Sequence, residues 1–177
     1  MQTRVYLERP SSRREQDYLQ AVRRSGPLHR GFVTTASSGS EYREYLRRSH
    51  RKNQESFFVC LAGSGELAGV INVNEIVRYS FQSAYLGYYA FIPHAGCGLM
   101  REGLCAVVNI CFRELNLHRL EANIQPANER SLALIRSLGF RQEGLSRRYL
   151  KIAGRWQDHE RWAVLAEEWR QLAPLRT

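Results

Sequence analysis

The stretch PHAGCGLMREGL (Pro93 to Leu104) sets Gly96 and Gly98 on either side of Cys97, directly ahead of a leucine-rich run. Two glycines around one residue make a tight turn. Placed at the mouth of a helix, the same turn pools backbone N–H groups. Gly96, Cys97, Gly98, Leu99 and Met100 can then present successive donors to a phosphate, and the helix dipole adds to the attraction. No Gly-Lys-Ser/Thr follows, so this is not a P-loop. No third glycine at the required spacing and no acidic strand end follow either, so it is not a dinucleotide fingerprint. A simple turn and a pyrophosphate cradle both remain open on these residues alone.

The surrounding periodicities say what positions the loop. Arg4–Pro10 reads as a β-rich strand ended by Pro10. Ser11–Gly26 reads as a helix capped by Ser11 or Ser12 and stopped by Gly26, and PLHRGFVTT (Pro27–Thr35) as a loop. Ser38–Asn53 is a second helix, with Ser40 as a cap and Tyr42, Tyr45 and Leu46 sharing a face. Ser56–Ala62, Leu67–Val77 and Ala84–Ile92 are strands joined by turns, an antiparallel meander. After the glycine pair, Met100, Leu104, Val107, Val108, Cys111, Phe112 and Leu115 repeat at helical spacing, a core stripe. His118–Ile124 is a strand, Asn128–Leu138 a helix closed by Gly139, and Phe140–Ile152 with Arg155–Leu165 a terminal hairpin. The order is that of an α+β domain with a mixed sheet. Its one βαβ crossover puts the glycines at the carboxyl end of the first strand, where open sheets bind ligands.

At 177 residues with 44% hydrophobic and 24% charged side chains, the chain is expected to form one domain, 1–177, in the ordinary globular range. No apolar run reaches the roughly eighteen residues of a membrane span, and the first residues lack the apolar core of a secretion signal. A cytoplasmic location away from membranes is expected. Cys60, Cys97, Cys105 and Cys111 form no C-x-x-C pair, so reduced thiols and no metal are expected, with Cys97 in the loop as the exposed one. The net charge of +9 is concentrated in Arg23–Arg30 and Arg43–Lys52. These are either solvated helix faces or a surface for something anionic: a phosphorylated cofactor, RNA or an acidic partner. Tyr42 and Tyr45, at helical spacing, read as core contacts and not as a base-stacking platform.

Together, YLGYYAFIPHAGCGLMREGL, NERSLALIRSLGFRQEG and YLKIAGRWQDHERW resemble the Gcn5-related N-acetyltransferase superfamily, and within it the ribosomal-protein-alanine N-acetyltransferases of the RimJ type. The resemblance runs from about Arg4 to Trp169. It implies the acyl-CoA N-acyltransferase fold: a mixed, mostly antiparallel sheet of about seven strands with helices on both faces. It also implies acetyl-CoA as cosubstrate and transfer of the acetyl group to an amine, often a protein N-terminus. The superfamily's pyrophosphate pattern, Gln/Arg-x-x-Gly-x-Gly/Ala, falls on Ala95 to Met100, and only Gly98 matches the defined positions. Amide donors survive such changes, whereas each lost cationic contact weakens binding by about 1 kcal/mol or more.

By the same resemblance, Phe91 and Ile92 run beside the pantetheine arm, where one backbone N–H polarises the thioester carbonyl. Asn128 contacts the cofactor, or is simply a helix N-cap. Ser131 stands where the RimJ-like subgroup places the acid for the CoA thiolate, since Ile135 fills the tyrosine position of other members. Its alternative is a hydroxyl bonded to its own helix. Glu121, on the same strand face as Asn123, is the candidate base for the amine; its alternative is a surface pair with Arg119. Glu75 and His94 are reserves, Tyr88 and Tyr149 candidate groove residues, and Trp156 and Asp158 structural. The expected reaction is direct attack by a neutral amine in a ternary complex, because no His–Asp/Glu pair is evident to activate Cys97 for a covalent route. The expected acceptor is a protein N-terminus. The alternatives are a small amine such as a polyamine or antibiotic, or a non-catalytic acetyl-CoA- and RNA-binding, ribosome-associated module working through the basic helices.

Overall fold

From Ser56 to Cys60 every residue is buried, and successive side chains of a strand point to opposite faces. Such a sheet must be covered on both sides. The computed structural model, which describes residues 3–172, does so with six α-helices. β1 (Val5–Glu8) leads through a 3-10 turn to α1 (Glu15–Arg24), α2 (Gly26–His29) and α3 (Gly39–Ser49). β2 (Glu55–Leu61), β3 (Leu67–Val77) and β4 (Ser83–Ala90) follow, then α4 (Leu99–Arg113), β5 (Arg119–Ile124) and α5 (Glu129–Ser137). β6 (Arg141–Ile152), β7 (Arg155–Leu165) and α6 (Ala166–Leu172) complete the described chain. The strands form one seven-stranded sheet in the order β1-β2-β3-β4-β5-β7-β6. Only the β4–β5 pair is parallel. This is the mixed, mostly antiparallel architecture with helices on both faces. No helix among the described residues is long and apolar enough to cross a membrane.

Each face has its own core. Leu104, Val107, Val108 and Cys111 of α4, Leu132 and Ile135 of α5 and Trp169 of α6 cover Val59, Ile71, Val73 and Leu120. On the other face Tyr18 of α1 and Tyr42 and Tyr45 of α3 pack on Phe58, Val70 and Phe91. The Tyr18 ring lies 4.8 Å from that of Tyr42 and 5.9 Å from that of Tyr45. These tyrosines are core, so their rings are not available for stacking on bases. Among the described cysteines Cys60 and Cys111 are buried, Cys97 is exposed, and none is bridged.

Several boundaries differ from the sequence expectation for identifiable reasons. Ser11 occupies a cap position but its hydroxyl makes no capping bond; its carbonyl instead accepts the Tyr42 hydroxyl at 2.8 Å. Gly26 does not stop a helix but starts α2, because Pro27 in a first turn needs no N–H partner and has its φ already set. Ser38, not Ser40, caps α3 by accepting the Glu41 N–H at 3.3 Å. The Glu41 carboxylate reaches back to the Ser37 N–H at 2.6 Å, a variant of the reciprocal capping box. β4 stops at Ala90, short of Ile92, because the Ile92 backbone turns to α1: its N–H donates to Ser25 Oγ at 2.9 Å and its carbonyl accepts from Arg24 Nε. Helix α6 lies beyond the terminal hairpin that the sequence predicts.

Met100 fills space that only a glycine leaves. A Cβ at Gly69 of β3 would collide with Met100 Sδ and lie 2.6 Å from the Tyr89 carbonyl oxygen. The bulky residue at the end of the glycine loop is thus accommodated in the sheet beneath it. Gly69→Ala is expected to destabilise the protein by about 1–3 kcal/mol through overpacking, read as a lowered midpoint in denaturant or heat. An unchanged midpoint would show that both Met100 and the β4 backbone at Tyr89 can yield.

Candidate active site

The β4–β5 ladder is short. It joins Ser83 to Arg119 through Leu86 to Ala122 and then stops. β4 continues against β3 as far as Ala90, and β5 against β7 as far as Ile124. Beyond Leu86 and Ala122 the two strands therefore face each other without bridging, and a gap opens in the sheet at their carboxyl ends. In the β3–β4 ladder the Phe91 N–H donates to the Ala68 carbonyl at 2.8 Å. The alternation of an antiparallel pair then turns Tyr89 and Gly87 toward β3 as well, and directs the N–H groups of Tyr88 and Ala90 at the gap. This corrects the donor expected at Phe91 or Ile92: both of those N–H groups already have partners, in Ala68 and Ser25.

The glycine loop stands at the open end of this gap. Gly96 and Gly98 adopt φ of 83° and 80°, and Gly98 is the N-cap of α4 with no side-chain capping bond. Among the described residues nothing accepts from the N–H groups of Gly98, Leu99 and Met100, the donors a helix start leaves open. The Leu99 and Met100 side chains are buried in the core, so these residues offer only their amides. Cys97 is exposed. The loop has no cation of its own, yet a Cβ at Gly98 would lie 3.2 Å from Arg4 Nη2. Arg4, also paired with Glu102 of α4, brings a guanidinium beside the loop from the start of the chain. No sequence motif signals that proximity.

On the α5 side of the gap, Ser131 Oγ donates to the Tyr88 hydroxyl at 2.8 Å, and the Tyr88 hydroxyl faces the Ser131 carbonyl at 3.4 Å. Ser131 is therefore bonded to a tyrosine of β4 and not to its own helix. Burial raises the Tyr88 pKa above the usual tyrosine value, against the opposing effect of the Ser131 bond, so the phenol keeps its proton at neutral pH. Asn128 Oδ1 caps α5 by accepting the Ser131 N–H at 3.3 Å. Its amide nitrogen is left to point elsewhere.

The opposite face of the gap carries a pocket of about 200 Å³. Its floor is Gly87 to Tyr89, with Asn72 and Asn74 of β3; its walls include Tyr18, Tyr45, Arg48, Gln54 and the loop Val33–Ala36. Gly87 contributes no side chain, and this keeps the floor open down to Tyr88. Gln125 Nε2, just past β5, donates to the Gly31 carbonyl at 2.9 Å and ties the end of β5 to the segment that leads into Val33–Ala36. Glu121 points to this face, because Leu120, Ala122 and Ile124 fill the other. Its carboxylate accepts from Arg119 Nε at 2.8 Å, and Arg119 also holds Glu143, so the ion pair is present. Of the reserve bases, Glu75 accepts from Asn53 and His94 pairs with Glu66; neither lines the pocket. The Tyr149 ring packs beside His159 at 5.8 Å, and Asp158 accepts the Arg148 N–H at 2.7 Å within the β6–β7 hairpin.

Residues 4–141 match the family model of the acetyltransferase (GNAT) domain, and the chain belongs to that family of N-acetyltransferase enzymes. It is 41% identical over 104 residues to the ribosomal protein uS5-alanine N-acetyltransferase of Escherichia coli (strain K12), a match covering 59% of this chain and 54% of that enzyme. Among solved structures, Mycobacterium smegmatis RimJ in complex with CoA-disulfide superposes with a TM-score of 0.84 at 26% identity, over 97% of this chain and 88% of that one. The spermidine N-acetyltransferase of Vibrio cholerae, in complex with CoA and spermine, superposes with a TM-score of 0.81 at 22% identity, over 96% and 99% of the two chains. At that identity the likeness shows the fold alone.

One support of the gap was invisible in the sequence. His29 is 6% exposed and bonds the Ala90 carbonyl through Nε2 at 2.8 Å. A carbonyl only accepts, so Nε2 carries the proton, and Nδ1 is left buried without a partner. Burial lowers the His29 pKa. The unfolded chain takes up a proton below about pH 6.5 that the folded one resists, so stability falls as pH drops through that value. Denaturant melts at pH 7.5 and 5.5 are expected to show this loss in the wild type and a smaller one in His29→Gln. Equal losses would remove His29 from the account. His159, whose pKa burial also lowers, supplies a remaining slope in both.

Proposed function

We propose that the protein transfers the acetyl group of acetyl-CoA to the α-amino group of a protein N-terminus, by direct attack of the neutral amine in a ternary complex. The observation that carries this reading is the gap between β4 and β5. On the α5 side of it lies the Tyr88–Ser131 hydroxyl pair, and on the other face of β4 lies a pocket whose polar lining includes one charged group, Arg48.

The residues present fit the cosubstrate. Open amides at Gly98, Leu99 and Met100, with the α4 dipole behind them and Arg4 beside them, suit a pyrophosphate. Ala95, Cys97 and Met100 depart from the family's pattern only in side chains, and Arg4, whose guanidinium is shared with Glu102, stands beside the loop. Phe91 and Ile92 fix the end of β4, while Asn128 can offer its amide nitrogen to the cofactor as it caps α5. Acetyl-CoA supplies the activated acyl group. Ala90 and Tyr88 N–H point where a carbonyl oxygen in the gap gains negative charge, and a preorganised donor of this kind contributes a few kcal/mol. Ser131, backed by Tyr88, can give a proton to the departing thiolate. An α-amine, with a pKa near ~8, loses its proton readily; Glu121, on the same sheet face as the pocket and held by Arg119, can take it through intervening water.

The pocket also supports this acceptor over a polyamine, the ligand class in the Vibrio cholerae neighbour's complex. A polycation is held by carboxylates, and no carboxylate lines this pocket. Burial of the aromatic side chains near the basic helices likewise favours an enzyme over an RNA-binding, ribosome-associated module.

A thiol-release assay with acetyl-CoA tests the reading. N-terminal peptides are expected to turn over and spermidine to be slower by at least about tenfold. Turnover of spermidine alone would replace the acceptor, and RNA binding with a steep salt dependence but no turnover would replace the function. Ser131→Ala and Tyr88→Phe are each expected to lower kcat by about 10- to 100-fold with little change in KM for acetyl-CoA. In the wild type the rate should rise with pH toward about 8 as the amine deprotonates. It should show no acid-group loss before about pH 10, since the Tyr88 pKa is raised. Full activity of both variants would take the hydroxyl pair out of the mechanism.

A further inference from the structure

We infer that Arg48 makes the acceptor pocket selective for amines with a carboxylate close by, so that among N-terminal peptides it prefers an acidic residue at the second or third position. This deepens the proposed function and rests on it.

Of the residues lining the pocket, Arg48 alone is charged. The neutral polar groups there are largely satisfied by one another. The Tyr45 hydroxyl donates to Asn72 Oδ1 at 3.1 Å, Gln54 Nε2 donates to Asn74 Oδ1 at 3.0 Å, and the Tyr18 and Tyr89 hydroxyls share a bond of 2.8 Å. Arg48 differs from its helix neighbours. Arg43 pairs with Glu15 and Arg47 with Glu44, whereas among the described residues the Arg48 guanidinium meets neither a carboxylate nor any other hydrogen-bond acceptor. Its charge is nevertheless felt at the Tyr18 and Tyr45 hydroxyls, where it opposes the rise in pKa that burial causes.

The wall continues in the same sense. From Arg48 the chain turns through Arg51 and Lys52 to Gln54, which again lines the pocket. Neither Arg51 nor Lys52 has a carboxylate partner among the described residues. Of the nearby acids, Glu75 accepts from Asn53 and the Glu121 charge is balanced by Arg119, and neither lines the pocket. The pocket, at about 200 Å³, is smaller than the roughly 300–1,000 Å³ that enclose drug-sized ligands. It therefore takes the tip of an acceptor, with the following residues passing this basic wall. A guanidinium offers a carboxylate two parallel donors, and the flanking charges steer like-charged acceptors away. Because Arg48 is largely exposed, the preference is modest.

The test compares kcat/KM for three peptides that differ only at the second residue, Asp, Ala or Lys after an N-terminal Ala, at low salt with acetyl-CoA. The wild type is expected to favour Asp over Lys by about tenfold, within the range of a single exposed charge contact reinforced by neighbours. Arg48→Lys should keep most of the preference, Arg48→Ala should reduce it to about onefold to threefold, and Arg48→Glu should reverse it. KM for acetyl-CoA should stay constant in all variants. A merely structural role for Arg48 would lower all three rates together without reordering them. Equal rates in the wild type, or an unaltered order in Arg48→Glu, overturn this inference while the proposed function stands. Turnover of spermidine with no peptide turned over defeats the proposed function and this inference with it.

Discussion

Everything in this site depends on two parallel strands ceasing to bond. A parallel ladder satisfies backbone groups evenly along its length, so stopping it after Leu86 and Ala122 leaves donors and acceptors directed into open space. The cost is tolerated because each strand keeps its outer partner: β4 stays on β3 to Ala90 and β5 stays on β7 to Ile124. The inner edges are thereby held rigid while unpaired. Amides on such an edge need no reorganisation to receive a carbonyl, which is the condition under which they are most effective.

The two cores keep the edges apart. α4 and α5 press on one face through a continuous aliphatic cluster, and α1 and α3 press on the other through stacked tyrosines. Between β4 and the first helices runs a set of polar ties, Ser25 and Arg24 to Ile92 and His29 to Ala90. They hold the end of β4 away from β5. The gap separates functions by face: hydroxyls on the α5 side where a thiolate would leave, and neutral amides with one arginine on the α1–α3 side where an amine would enter. The sheet itself is the partition between these two tasks.

Much of this was legible in the residues and some of it could not be. Strand patterning with its turn residues located all seven strands, and apolar periodicity the long helices, because these are local signals; β6, which has no buried side chain, is legible only through its hairpin turn. The glycine loop was legible as a donor cradle because Gly-x-Gly before an apolar helix is a local feature. The Glu121–Arg119 pair was foreseeable from two residues on one strand face. What failed was whatever depends on contacts distant in sequence. Ile92 looks like strand, but Ser25 captures its N–H. The donor parity of β4 cannot be read until the register with β3 is known, so the sequence points to Phe91 or Ile92 where Ala90 faces the gap. Met100 departs from the loop pattern, and only the fold shows that Gly69 beneath it makes the room. Arg4 and His29 carry no motif, and the bond between Tyr88 and Ser131 joins two segments distant in sequence; only the folded chain brings these groups to the loop, the end of β4 and the gap.

If acetyl-CoA occupies this slot, the amides at Gly98, Leu99 and Met100 receive its diphosphate while the Ala90 amide faces the acyl carbonyl. Backbone amide NMR of the labelled protein titrated with acetyl-CoA tests it most directly. Large, saturable shifts are predicted at these four amides, together with the Ser131 amide at the head of α5. If acetyl-CoA binds but the shifts fall elsewhere, leaving Gly98 to Met100 and Ala90 unmoved, the parted strands are not the binding slot.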